Sequence, residues 1–212
     1  MSWSIKPAAD DTTELGDAIV LAAKEGILMF CAATDEGAFR DRTYPAASST
    51  KELFKIGAAE ASGTALDWVG DQQRVDFLFP GHNVVVDRPG EVPPDKYRSL
   101  SGSSVATALA SGLAALILYC VQIAALHLRA QPARTKDYEV VTMDVFRELK
   151  KHEGMKMAFR EIGTTDESEK KYIAVWERFK KPVKSEKTTA PDQLIDLIVA
   201  LARELKPRQL DV

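Results

Sequence analysis

Leu100-Ser-Gly-Ser-Ser-Val-Ala-Thr-Ala-Leu-Ala-Ser-Gly-Leu-Ala-Ala-Leu116 is the stretch on which the fold turns. It opens on a Gly-Ser-Ser element and continues without a charged residue to Leu128. Apolarity on all sides over that length predicts a helix that starts near Ser103 and is buried in a sizeable core. Length alone would also suit a membrane span. Thr107, Ser111, Gly112, Gln122 and His127 interrupt the run, so a core helix is expected and no membrane partner. A hydroxyl at the start of such a helix lies near unpaired backbone N–H groups at the positive end of the helix dipole. Those donors can stabilise a developing oxyanion, which makes Ser104 a candidate nucleophile. The commoner role for a serine there is a plain N-cap.

Upstream, Arg88 to Leu100 holds Pro89, Gly90, Pro93 and Pro94 and is expected to be loop. Before it, Val75–Phe79 and Val84–Val86 read as short strands, the first closed by Pro80-Gly81. Leu53–Ala59 is a further strand. Ile27–Ala33 has no polar interruption, as expected of a parallel strand buried on both faces. Asp11–Glu25 reads as a helix, with Asp11 and Glu14 placed for a capping box, an apolar face of Leu15, Ala18, Ile19 and Ala22, and Gly26 at C′. Helix, strand, loop, strands, loop and helix in that order argue for an α/β layered fold with a parallel sheet.

Downstream the chain is more charged and helical in period. Helices are expected over Met143–Lys151, Gly154–Ile162 (closed by Gly163), Glu167–Lys180 and Asp192–Leu205, with Lys181–Ala190 as a linker. Tyr172, Val175, Trp176 and Phe179 would share one face of the third. The expected division is residues 1–130 and a helical extension, 131–212. The 212 residues are 45% hydrophobic and 28% charged, which excludes wholesale disorder. Twenty-eight basic and 31 acidic side chains give a net charge of −3, so no basic field recruits nucleic acid. Cys31 and Cys120 cannot make a disulfide scaffold and sit in apolar runs as buried thiols. His82, His127 and His152 make no cluster with zinc spacing; no metal or other cofactor is expected. The N-terminus has no basic start followed by an apolar run, so a cytoplasmic location is expected.

Several elements occur together in order. Gly26-Ile-Leu-Met-Phe-Cys-Ala-Ala-Thr-Asp-Glu-Gly37 precedes Tyr44-Pro-Ala46, Lys55-Ile-Gly-Ala-Ala59, Phe79-Pro-Gly81 and the Gly-Ser-Ser helix. With them the chain resembles the subtilisin-like serine peptidases, the subtilases, over roughly residues 1–120, in details closest to intracellular fungal members. The resemblance implies the C-terminal part of a subtilisin-like three-layer fold and serine endopeptidase chemistry on polypeptide substrates. Ser104 falls on the family's nucleophile. Asp35 falls on its oxyanion-hole asparagine, with the backbone N–H of Ser104 as the companion donor. Ala32, Ala33 and Thr34 fall on the wall of the pocket that receives the residue before the cleaved bond, and Thr34 in place of glycine narrows it. Met1-Ser2-Trp3 resembles the strand whose edge pairs with substrate, which makes Ser2, Trp3 and Ser4 substrate-binding.

Two departures follow from the same comparison. An ionised carboxylate at residue 35 accepts hydrogen bonds and cannot donate one. The family's Asp and His also precede the strand at residues 1–3, so they are expected from a missing N-terminal segment, without which this chain is inactive and exposes a bare sheet edge. Two alternatives stay open at this point. One is a non-catalytic subtilase-derived scaffold or interaction module, using Tyr172, Trp176 and Phe179. The other is an α/β-hydrolase ordered Ser104, Asp144, His152, which needs a strand directly before the serine where a Pro-rich loop stands.

Overall fold

In a computed structural model, residues 12–37, 44–47, 50–70, 72–87, 90–130, 141–163, 172–176 and 191–207 are described. The chain divides into two compact units, residues 1–111 with 164–173, and 112–163 with 174–212.

The first unit is built on a parallel sheet of β1 (Met29–Ala32), β2 (Leu53–Ala59) and β3 (Phe77–Pro80), in that spatial order. Met29 to Ala32 pair with Leu53 to Ile56, and Ile56 to Ala59 pair with Phe77 to Pro80. Every β2 residue except Lys55 is buried, as expected of a central strand covered on both faces. Phe30, Phe54 and Phe77 form an aromatic row, with ring centroids 4.9 and 6.2 Å apart. β3 begins two residues later than its apolar run suggests. A 3₁₀ turn occupies Gln72–Arg74, and the Asp76 carboxylate accepts from the Lys55 N–H at 2.9 Å. The ladder therefore starts at Phe77.

Helix α1 (Thr12–Lys24) precedes β1. It ends as its sequence predicts: Gly26 has φ +68°, its N–H donates to Ala23, and the Ile27 N–H donates to Ala22. That pair of bonds is a Schellman motif, and its positive φ selects glycine. Of the expected apolar face only Ile19 is buried; Asp11 lies outside the described residues.

The Pro-rich stretch is not all loop. Ser99–Leu100 forms β5, antiparallel to β4 (Val84–Val85). The Asp87 carboxylate closes this ribbon by accepting from both the backbone and the guanidinium of Arg98.

Residues 172–173 return to the sheet. Tyr172 bridges Leu78 in parallel sense, and the Ile173 N–H donates to the Leu78 carbonyl at 2.9 Å. The Tyr172 hydroxyl donates to Ala61, and its ring lies over Gly63, where a Cβ would be 2.9 Å away. Burial pushes this phenol up to about 12. Tyr172 is therefore a sheet-edge residue, not part of a helical aromatic stripe, while Phe179 and the expected linker lie outside the described residues.

Helix α2 (Ser103–Ala130) begins in the first unit; residues 112–130 belong to the second. By length and composition it could cross a membrane. Ala106, Ala110, Leu113, Ile117, Val121 and Ala124 form its buried stripe.

The second unit also holds α3 (Met143–Leu149), α4 (His152–Ile162) and α5 (Pro191–Leu205). Thr142 caps α3 by accepting from the Val145 N–H. Gly154 passes so close to the Glu148 carbonyl that no Cβ fits between α3 and α4. Gly163 ends α4 with φ −57°, a conformation open to any residue, so glycine is not required there.

Candidate active site

The turn Ser101–Ser104 hangs from the carboxyl ends of β2 and β3. The Gly102 N–H donates to the Gly81 carbonyl at 2.8 Å, just past β3. Ser101 Oγ accepts from the Asn83 N–H at 2.8 Å. Gly81 must be small, because a Cβ there would lie 2.5 Å from Ala58 Cβ and 3.0 Å from the Gly102 carbonyl oxygen. Gly102 has φ +143°, which an L side chain rarely adopts.

The two serines that follow face opposite ways. Ser103 is fully buried, on the inward face shared with Ala106 and Ala110. β1 pairs with β2 only as far as the Ala33 N–H to Ile56 carbonyl bond at 2.8 Å. Two residues on, the Ala58 N–H points to the same side with no ladder partner. Ser103 Oγ accepts from it at 3.2 Å. Ser104 is exposed.

Gly102 is the N-cap of α2, since its carbonyl accepts from Val105 at 3.0 Å and Ala106 at 3.2 Å. Asp35 Oδ2 accepts from the Ser103 N–H at 2.9 Å. Among the described residues the Ser104 N–H and hydroxyl make no hydrogen bond to protein. The point where a Gly102 Cβ would stand is 3.2 Å from Ser104 Oγ and 3.4 Å from Asp35 Oδ2, so hydroxyl and carboxylate border one small space.

Asp35 is held there by the loop after β1. The Gly70 N–H donates to the Thr34 carbonyl and the Gly37 N–H to the Trp68 carbonyl, both at 2.8 Å. The Thr34 methyl sits where a Gly70 Cβ would have to be. Ala32 is buried; Ala33 and Thr34 are half-buried. Ser2, Trp3 and Ser4 lie outside the described residues.

No histidine hydrogen-bonds Ser104 among the described residues. His82 is paired with the Asn83 side chain at 3.3 Å. His127 and His152 belong to the second unit; His127 Nε2 is buried without a hydrogen-bond partner among the described residues. Cys31 offers no alternative nucleophile, as burial pushes its thiol up to about 12. No group of three or more His, Cys, Asp or Glu arranged for a metal occurs among the described residues.

The family model for the subtilases, peptidase S8, matches residues 1–163. The chain belongs to the subtilase family. Two curated relatives are similar to it. The major intracellular serine protease of Bacillus subtilis (strain 168) is 33% identical over 111 residues, 50% of this chain and 33% of that protein. The intracellular serine protease of Paenibacillus polymyxa is 34% identical over 112 residues, 51% of this chain and 32% of that protein. This subtilase chain thus spans about a third of the length of the curated relatives it matches. Among solved structures, the self-cleaved protease domain of PatA aligns over 77% of this chain and 52% of its own, with a TM-score of 0.50 at 22% identity. A mutant of that protease domain aligns over 88% and 58%, with a TM-score of 0.52 at 19% identity. The α/β fold with a parallel sheet, expected from the order of elements, is the subtilase fold found. The α/β-hydrolase alternative falls, and the Asp144 carboxylate it would need is paired with Arg147.

Sequence reasoning missed Ser103. The signal was available in its spacing, because Ser103, Ala106 and Ala110 fall on the inward face while Ser104 and Ala108 fall outside it.

Proposed function

We propose that this chain carries the nucleophile half of a serine endopeptidase site, with Ser104 Oγ attacking the carbonyl carbon of a peptide bond. The observation that carries this is an exposed hydroxyl at the tip of α2 whose own backbone N–H is open. On this reading the Ser104 N–H donates to the oxyanion that forms as the C=O bond opens. Asp35 occupies the second oxyanion position. Ala32, Ala33 and Thr34 line the pocket for the residue before the cleaved bond, narrowed by Thr34 in place of glycine. Ser2, Trp3 and Ser4 present the backbone edge that pairs with substrate. The general base is a histidine, oriented by an aspartate, contributed by polypeptide beyond this chain, since no histidine hydrogen-bonds Ser104 among the described residues. Without that base the serine is a poor nucleophile and the chain alone is inactive. Residues 1–130 form the peptidase portion and 131–212 a helical extension. The location is cytoplasmic, as the names of two relatives suggest. With a net charge of −3 no nucleic-acid partner is proposed, and α2 is read as a core helix, so no membrane partner either.

A fluorophosphonate tests the reading. The chain is treated alone and after addition of a polypeptide carrying an Asp-x-Gly strand and a His-Gly-Thr helix start. Expected is label on Ser104 in the completed protein, lost in Ser104→Ala. No label in either preparation would overturn the peptidase reading and leave a subtilase-derived scaffold.

A further inference from the structure

We propose that the Asp35 carboxylate is a resident anion at the N-terminus of α2, and that its charge opposes the formation of an oxyanion beside Ser104. The inference rests on Ser104 being the nucleophile and goes beyond it. It assigns Asp35 a restraining role where the position alone would suggest a donor.

The geometry is specific. Three N–H groups open α2. Val105 is satisfied by Gly102, Ser103 by Asp35 Oδ2 at 2.9 Å, and Ser104 by nothing among the described residues. An oxyanion on a carbonyl attacked by Ser104 Oγ would use the Ser104 N–H and the positive helix end. Both are already under the influence of Asp35, whose Oδ2 borders the same space over Gly102 as the attacking hydroxyl. An ionised carboxylate has no proton to donate and repels a second anion. The loop does not leave Asp35 free to withdraw, because the Thr34 carbonyl and the Gly37 N–H tie both sides of it to Gly70 and Trp68.

Asn at this position separates the two effects. An amide oxygen keeps the bond from the Ser103 N–H, and Asn caps helices about as well as Asp. The amide NH₂ adds a donor, and the charge is gone. Ala removes the charge, the acceptor and any donor together.

The experiment measures the rate at which an uncharged fluorophosphonate labels Ser104 in the completed protein, for wild type, Asp35→Asn and Asp35→Ala. Phosphonylation forms the Ser104 O–P bond, passes the hydroxyl proton to the supplied histidine and expels fluoride, with negative charge on the phosphoryl oxygen on the way. One oxyanion donor is worth on the order of 10²–10³ in rate, a magnitude taken from another member of this family, not from this structure. Asp35→Asn is expected to label on the order of 10²-fold faster than wild type, with Asp35→Ala between them. A merely structural cap would leave Asp35→Asn at the wild-type rate and slow only Asp35→Ala. Label on wild type with no gain in Asp35→Asn would overturn this inference and leave the peptidase reading standing. No label on any of the three would overturn both.

Discussion

Replacing Ser103 by alanine removes a single oxygen from a fully buried position, and the structure says what that oxygen does. It accepts from the Ala58 N–H at 3.2 Å, on the side of β2 that β1 no longer reaches. Without it a buried backbone donor has no partner, at a cost of about 1–3 kcal/mol. Thr107→Val is the matched control. Thr107 is also buried, and its hydroxyl donates to the Ser103 carbonyl at 2.7 Å. That carbonyl lies inside a continuous helix and keeps its backbone partner, so only a surplus bond is lost, at about 1 kcal/mol or less. The assay is amide hydrogen exchange of the full chain, read at Ala58. At about 1.4 kcal/mol per factor of ten, Ser103→Ala should speed Ala58 exchange about 5- to 150-fold, and Thr107→Val about 5-fold at most. Ala58 exchange unchanged in Ser103→Ala, or raised equally by both, would refute the assignment of Ser103 as the partner of β2.

Gly81→Ala should destabilise by about 1–3 kcal/mol in denaturant titration, because its Cβ would meet the backbone of Ala58 and Gly102 at 3.0 Å. Gly112→Ala has nothing within 4 Å and should stabilise by about 0.5–1 kcal/mol; the opposite order of the two would contradict the packing described. Burial raises both Cys31 and Cys120, the first to about 12, so a disulfide reagent at pH 8 should find no thiol in the native protein and two in denaturant. The Arg98 side chain holds the Asp87 carboxyl below its ordinary value. A depressed folded value means stabilisation that is present at neutral pH and lost as pH falls through it. Exchange at Val86 should therefore quicken, relative to its intrinsic rate, on acidification below about pH 4, and this extra acid sensitivity should be absent from Asp87→Asn.

Local sequence was sufficient where local chemistry decides the outcome. Leu53–Ala59 is a strand from end to end because its run of apolar residues suits only a doubly covered position. The end of α1 was legible from Gly26 alone. What was not legible depended on distant partners. Ser99–Leu100 is a strand only because Val84–Val85 runs beside it, and a Pro-rich composition hides a two-residue pairing. Tyr172 has the spacing of a helical face, but the open edge of β3 and the bare backbone of Gly63 claim it. At the candidate site the motif pointed to Ser104 and Asp35. Composition could not reveal that Asp35 accepts from Ser103, since that bond joins residues 68 apart.

The return of Tyr172 and Ile173 to β3 separates two boundaries that are easily confused. The family match ends at residue 163, whereas Tyr172 and Ile173 belong to the sheet-bearing unit as well. A shortened polypeptide designed on the alignment would strip the outer flank of β3 and uncover the glycine turn at residue 63. One extended past Ile173 would keep both sealed.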